Sequence, residues 1–126
     1  MKSPGHQKWP DHQVNETRVD GKAEVKIGTE SIAESQEAIR VEEDGNPARL
    51  YFPRSAVAMK NLEPSSTTTQ CPFKGTARYF NVNIHGKKLK DAVWSYEEPF
   101  EEHMALKDRL AFYEEKFPDI RVQPSP

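Results

Sequence analysis

The sequence holds one cysteine, no long apolar run and no excess of basic residues. A single cysteine excludes an internal disulfide and a zinc site built from four cysteines. No apolar run approaches the about 18 residues of a membrane-spanning helix, and the opening MKSPGHQKWPDHQ lacks the apolar segment of a signal peptide. The net charge of −2 argues against a general nucleic-acid-binding protein. We therefore expect a soluble cytoplasmic protein that does not associate with membranes.

Several catalytic and metal-binding signatures are also missing from the sequence. It contains no glycine-rich phosphate-binding loop and no serine in a Gly-x-Ser-x-Gly elbow. The histidines lack the close spacing of a zinc-binding helix; they are His6, His12, His85 and His103. We therefore expect no metal site and no cofactor.

Apolar and polar residues alternate along much of the chain, which is typical of β-strands. The alternation is clearest at Ala23 to Ile27 and at Tyr79 to Ile84. Further short strands are predicted at residues 32–33, 38–43, 50–52, 57–62, 92–96, 111–113 and 120–122, the last two forming a closing hairpin. Pro99, followed by two acidic residues, predicts one short helix near the C-terminus.

The chain length suffices for one domain. We expect an N-terminal tail at residues 1–20, a single β-rich domain at 21–122 and a C-terminal tail at 123–126. The segments VKIGTESIA…AIRVEE and VNIHGKKLK…AVWSYEE share an order of strand, turn, return and apolar strand. The predicted fold is therefore mainly β, with two similar antiparallel β units packed together, although the convergence of ordinary hairpin patterns explains the match about as well.

The segment SSTTTQCPFKG, residues 65–75, is the strongest candidate for chemistry. Five hydroxyl-bearing residues precede Cys71, and Pro72 and Gly75 indicate a tight turn. Lys74 follows three residues after the thiol, and a nearby cation favours the thiolate, which is the nucleophilic form. The hydroxyls and turn N–H groups could hold an anion. The alternative is that Cys71 is a small buried residue in an ordinary surface loop.

Three aromatic residues with polar tips accompany this segment. Tyr79 follows it closely, and strand alternation places Trp94 and Tyr96 on the same face. Together with the 65–75 segment they predict a mostly apolar pocket with a few polar groups. Charge is also segregated, since the charged residues at 74–90 are all basic and those at 91–102 are all acidic. The two groups form complementary solvated surfaces, or the basic one guides anions toward the 65–75 segment.

The sequence resembles the family catalogued only as domain of unknown function number 427, over most of residues 12–122. The motifs that carry this resemblance are Tyr51–Arg54, Thr69–Tyr79, Trp94–Tyr96 and Ala111–Tyr113. It implies a small, mainly β domain built from two similar sheet units, with no assigned biochemical role. Gln70 departs from the family pattern, which usually has histidine there, and this departure weakens a model of thiol catalysis.

The family has also been labelled nucleotidyltransferase-like, but the residues do not fit that label. Nucleotidyl transfer needs two carboxylates on one strand face to hold Mg²⁺, usually as Asp-x-Asp after a Gly-Ser turn. The sequence has neither motif. Its paired acids, such as Glu97 and Glu98, are adjacent and so point to opposite faces of a strand.

The leading hypothesis is a pocket that binds a small molecule, with an anion as one candidate. Its candidate catalytic residues are Cys71 and Lys74, and its candidate ligand-binding residues are Arg54, Thr69, Tyr79, Trp94 and Tyr96. The alternative is a protein–protein interaction module that uses sheet edges or the acidic 97–102 surface. Stacking of single-stranded nucleic acid on the aromatic residues is a weaker third hypothesis, since the net charge opposes it. Whether the protein is an enzyme, and its oligomeric state, stay open.

Overall fold

The computed structural model describes residues 1–124 and shows a mainly β protein, which confirms the predicted fold class. Within these residues, ten strands form three antiparallel sheets. The strands are β1 (Val14–Arg18), β2 (Ala23–Ile27), β3 (Glu30–Ser35), β4 (Ile39–Glu43), β5 (Arg49–Tyr51), β6 (Leu62–Cys71), β7 (Gly75–Ile84), β8 (Lys87–Ser95), β9 (Leu110–Phe112) and β10 (Ile120–Gln123).

The sheets have the strand orders β1-β4-β5, β10-β2-β3 and β6-β7-β8-β9. The backbones of Phe52 and Leu110 exchange two hydrogen bonds of 2.9 Å, which join the end of β5 to β9. The first and third sheets therefore meet at this point, and side chains of both can face one shared space.

Strand alternation in β7 separates two apolar clusters. Phe80, Val82 and Ile84 belong to the main core, which also contains the buried residues of β2 and β10. Ala77 is buried on the other face, in a second cluster that contains Tyr51 and the half-buried Tyr79 beside it. The third sheet thus has one face on the main core and one on this smaller cluster.

The helix prediction was wrong in its position: the α-helix, α1 (Pro4–Lys8), lies at the N-terminus. Ser3 caps it by accepting a hydrogen bond of 3.0 Å from the backbone of His6, and Pro4 starts the first turn. The predicted C-terminal helix is instead a 3₁₀ helix, Glu101–Leu106, with non-helical backbone angles at His103. The break at His103 prevents this segment from forming one continuous α-helix.

Residues 1–20, which we expected to be a tail, contain α1 and β1, and α1 is bound to the rest of the chain. The backbone N–H of Ser3 donates to the Glu102 carboxylate at 2.9 Å. His103 is buried, with its Nδ1 2.7 Å from Glu16 and its Nε2 2.8 Å from Nε2 of His6. One imidazole donates in the latter contact and the other accepts. The expected boundaries of the folding unit stay a prediction.

Three local predictions are corrected by the structure. Residues 59–61 form a 3₁₀ helix within the strand predicted at 57–62, and most of the predicted 65–75 loop is strand β6. The predicted closing hairpin is absent from the described residues, because β9 pairs with β8 and β10 pairs with β2. The hypothesis of two similar units stays a prediction. Of the predicted C-terminal tail, residue 123 ends β10 and residues 125–126 lie outside the described residues.

None of the helices in residues 1–124 combines the length and the apolar character needed to cross a membrane.

The Gly5→Ala variant tests how tightly α1 is packed. A Cβ atom at Gly5 would lie 2.5 Å from the carbonyl oxygen of Pro72 and 2.8 Å from the ring of Phe73. Alanine favours a helix by about 1 kcal/mol over glycine, but we expect the clash to prevail and the free energy of unfolding to fall by about 1–3 kcal/mol. Urea unfolding measures this change.

The control is Gln7→Ala, an exposed position of the same helix, which should change stability little. A Gly5→Ala protein at least as stable as the wild type would contradict this packing.

Candidate functional site

A cavity of about 280 Å³ lies on the second apolar cluster, between the first and third sheets. Among the described residues, its aromatic lining consists of Tyr51, Tyr79, Trp94, Tyr96 and Tyr113. Its charged lining consists of Glu43, Arg49 and Lys74. The remaining lining residues are Val41, Asn46, Pro47 and Cys71. The site is therefore a ring-walled hollow with a small number of charged groups.

Five candidate residues named from the sequence line this cavity: Cys71, Lys74, Tyr79, Trp94 and Tyr96. Neighbouring strand positions bring them together, since Tyr79 of β7 pairs with Trp94 of β8, and Tyr96 follows on the same face as Trp94. The structure thus brings together five of the seven candidate residues. Their roles in binding or catalysis stay predictions.

The other two candidates lie outside the lining. Thr69 adjoins it, because its hydroxyl is 3.2 Å from the hydroxyl of Tyr79. Arg54 lies elsewhere: it donates to Ser95 at 2.9 Å and stacks 5.5 Å from the ring centre of Phe80, on the main-core face of the sheet. The structure does not bring Arg54 to the cavity.

The aromatic rings form a connected wall. The ring centroid of Trp94 lies 6.1 Å from that of Tyr79 and 5.5 Å from that of Tyr113. The rings of Trp94 and Tyr113 meet edge to face. The indole N–H of Trp94 donates to the hydroxyl of Tyr51 at 3.2 Å. These contacts restrict the rotation of the rings, so the hollow has a defined shape without a ligand.

The ammonium of Lys74 pairs with the carboxylate of Glu43 at one side of the cavity. Both side chains are largely buried, and the other oxygen of Glu43 lies 3.0 Å from His12 Nε2. Burial alone would raise the pKa of Glu43, but hydrogen bonds from Lys74 and His12 outweigh it and hold the pKa below the ordinary value. The carboxylate is therefore ionised at neutral pH and fixes the lysine in place.

Arg49 supplies the second cation, and it is also held by a carboxylate. Its guanidinium makes two hydrogen bonds of 2.6 Å with Glu115, whose pKa this pairing lowers. It also lies 5.0 Å from the ring centre of Trp94 and 5.9 Å from that of Tyr113. The cation is thus stacked against the aromatic wall.

Two hydroxyls of the 65–75 segment bind an aspartate of the sheet, and the expected role of this segment in holding an anion stays a prediction. Ser65 and Thr67 of β6 donate to the two oxygens of Asp91, at 2.5 and 2.8 Å. Burial would raise the pKa of Asp91, but these hydrogen bonds lower it below the ordinary value. Asp91 has a positive φ of 54°, which is uncommon for a residue other than glycine. The two hydroxyls therefore fix the side chain of a residue at which the β8 backbone has an unusual conformation. They contact the sheet rather than the cavity.

The model of the family described as a domain of unknown function (DUF427) matches residues 16–123 of the sequence. The chain belongs to this family. A comparison with curated proteins found no match. The DUF427 match confirms the resemblance inferred from the motifs around Tyr51, Cys71 and Trp94.

Several residues of the site in this DUF427 domain are not among those predicted from the sequence. Tyr51 and Tyr113 could have been found, because both lie in aromatic-rich predicted strands and carry a polar tip. Glu43 ends a predicted strand that carries an apolar alternation, which places it near the core. Arg49 and His12 had no comparable signal, since their roles depend on contacts with residues far away in the sequence.

The Glu43→Gln variant tests the buried ion pair. It leaves the Lys74 ammonium without its partner, and we expect the free energy of unfolding at pH 7 to fall by about 3 kcal/mol. The pKa of Glu43 in the folded protein lies below its ordinary value of 4.5. The stabilisation that the ionised carboxylate gives to the fold is therefore complete above pH 4.5, and it is lost as the pH falls through the pKa of the folded protein. The difference between the two proteins should therefore shrink below about pH 4.5.

The matched control is Glu42→Gln, the exposed neighbour on β4. Urea unfolding at several pH values measures both variants. A Glu43→Gln deficit that does not change between neutral and acidic pH would contradict this account.

Proposed function

We propose that this DUF427 domain binds a small molecule in the cavity between the first and third sheets. The observation that carries the proposal is the lining itself, which surrounds about 280 Å³ with aromatic rings, two paired cations and one thiol. Small-molecule sites have this composition, with apolar walls and a few placed polar groups, and this volume lies at their lower limit. The expected ligand is therefore small.

The polar groups of the cavity support binding rather than simple core packing. Arg49 and Lys74 are each held by a carboxylate, so their positions do not depend on a ligand. Trp94 and Tyr79 are half-buried, which leaves parts of both rings available. Groups fixed before binding lose little entropy when a ligand arrives. This preorganisation is what a binding site requires and what a plain core does not.

Trp94 fluorescence tests the proposal. In a Trp9→Phe protein, Trp94 is the remaining tryptophan of the sequence and reports on the cavity. We expect phenol, indole, benzoate or benzamide to change its emission in a saturable way, with a Kd of about 1 mM for the best probe, as suits molecules of this size. If none of the four changes the emission or shifts the melting temperature, the proposal is wrong.

Two aromatic-to-alanine variants test whether the probe binds in the cavity. Tyr79→Ala removes a wall of the cavity and should abolish saturation. Phe100→Ala removes a half-buried ring outside the lining and should leave the Kd unchanged. Equal effects of the two substitutions would show that the probe binds elsewhere.

A catalytic role of Cys71 is a narrower form of this proposal. The thiol is half-buried and lines the cavity, while the nearby Lys74 is paired with Glu43. If the site activates the thiol, Cys71 should react with iodoacetamide at pH 7 about tenfold faster in the folded protein than in urea. A slower reaction in the folded protein would contradict catalysis by this thiol, while leaving ligand binding intact.

The interaction module remains a second candidate because of one observation. β6 is ten residues long and forms an edge of the third sheet, where an added strand from a partner could pair. The acidic 97–102 surface gives less support, since Glu97, Glu101 and Glu102 all bond within the chain. Sedimentation velocity at increasing concentration tests self-association through this edge.

A further inference from the structure

Two tyrosines of the cavity wall are largely buried, and their hydroxyls lack a hydrogen-bond acceptor within residues 1–124. Tyr96 is only 6% exposed, and its hydroxyl forms no hydrogen bond in this part of the chain. Tyr51 is 2% exposed; its oxygen accepts from Trp94, but its own O–H has no acceptor among the same residues. The Tyr96 hydroxyl is not sealed off inside the protein, and both residues line the cavity. Hydroxyls that open into a cavity can bond water, and a ligand with acceptor atoms can take the place of that water.

Both hydroxyls keep their protons under ordinary conditions. Burial raises the pKa of Tyr51 and of Tyr96, and the hydrogen bond from Trp94 only partly offsets this effect at Tyr51. They therefore act as donors toward the cavity and not as phenolates.

The other polar groups of the lining also favour a ligand that accepts hydrogen bonds. Arg49 and Lys74 are positive, and Glu43 is the carboxylate among the described lining residues. Both oxygens of Glu43 are already engaged, one by Lys74 and one by His12. The Lys74 ammonium has three protons and uses one in this pair. The cavity therefore has more donors than acceptors, while each of its two cations is balanced by a carboxylate, Lys74 by Glu43 and Arg49 by Glu115.

Aromatic walls alone would favour the opposite ligand. Rings arranged around a hollow commonly bind cations through their negative faces. Here Arg49 already occupies the face of Trp94, and Lys74 lies 5.9 Å from the ring centre of Tyr96. A cationic ligand would meet two resident cations and no free carboxylate of the described lining. The surplus of donors and the lack of a free carboxylate in the described lining therefore favour an anion over a cation.

We propose that the cavity binds a small planar carboxylate, whose oxygens accept hydrogen bonds from Tyr96 and Tyr51 beside Lys74. Its flat body lies against the ring of Tyr79, beside Trp94, whose face Arg49 covers. A carboxylate offers several acceptor sites in one plane and matches the unpaired donors. This inference rests on the proposed function, since it names the ligand class of the same cavity.

The test compares three probes of nearly the same shape and of different charge: benzoate, benzamide and benzamidine. Each is titrated at pH 7 into the Trp9→Phe protein, with Trp94 emission and calorimetry as readouts. We expect benzoate to bind about tenfold more tightly than benzamide, because charge-assisted hydrogen bonds are about twice as strong as neutral ones. Benzamidine should bind most weakly of the three.

Two tyrosine-to-phenylalanine variants separate the hydroxyl from the ring. Tyr96→Phe removes an unpartnered hydroxyl, so the melting temperature should not fall, while the Kd for benzoate should rise about tenfold. The loss for benzamide should be smaller. Tyr79→Phe is the matched control, because its hydroxyl already bonds Thr69, and it should change the preference for benzoate by less than about twofold.

The outcomes are distinguishable. If benzamide or benzamidine binds as tightly as benzoate, or if Tyr96→Phe leaves the benzoate Kd unchanged, the carboxylate inference is wrong while small-molecule binding stands. If no probe binds, including the neutral ones, the proposed function itself fails.

Discussion

The ion pair between Glu43 and Lys74 is the interaction on which the rest of the site depends. Two charges removed from water are unfavourable unless they are paired and hydrogen-bonded. Here the pair is completed by His12, which contacts the second oxygen of Glu43. The end of β4, the turn between β6 and β7, and the N-terminal segment must therefore come together for any of these charges to be satisfied. These three segments therefore come together around the ion pair, which forms one side of the cavity.

The turn that carries Lys74 is held on its other side as well. The carbonyl of Lys74 accepts a hydrogen bond of 3.0 Å from the backbone of Phe100. Gly75 has a φ of 123°, and a Cβ there would lie 3.3 Å from the carbonyl oxygen of Glu98. Only glycine suits both the backbone angle and the close approach. The lysine thus projects from a segment that has little freedom to move away.

Much of the fold and part of the site could be predicted from local patterns. Alternation identified β2 and β7, and it placed Trp94 and Tyr96 on one face because successive strand residues point to opposite sides. The hydroxyl run forms most of β6 rather than a loop, because threonine favours strands despite its polar side chain. The Ser3-Pro4 pair is a helix-start signal in the sequence, and α1 begins there.

The rest of the site depends on contacts that no local pattern contains. Glu43 and Lys74 are 31 residues apart, and Arg49 reaches Glu115 across 66. Such partners are decided by sheet order and by which faces become buried. The break in the helix predicted after Pro99 also depends on a distant partner. It lies at His103, whose buried side chain bonds Glu16.

The contact between His6 and His103 has a consequence in proton stoichiometry. A single hydrogen can lie between the two Nε2 atoms, so the pair is satisfied when both rings are neutral or when one of them is a cation. Two imidazolium rings would place a hydrogen on each nitrogen and oppose each other. The attachment of the first helical turn to the 101–106 segment therefore depends on how many protons the two rings carry together, in addition to the surface that they bury.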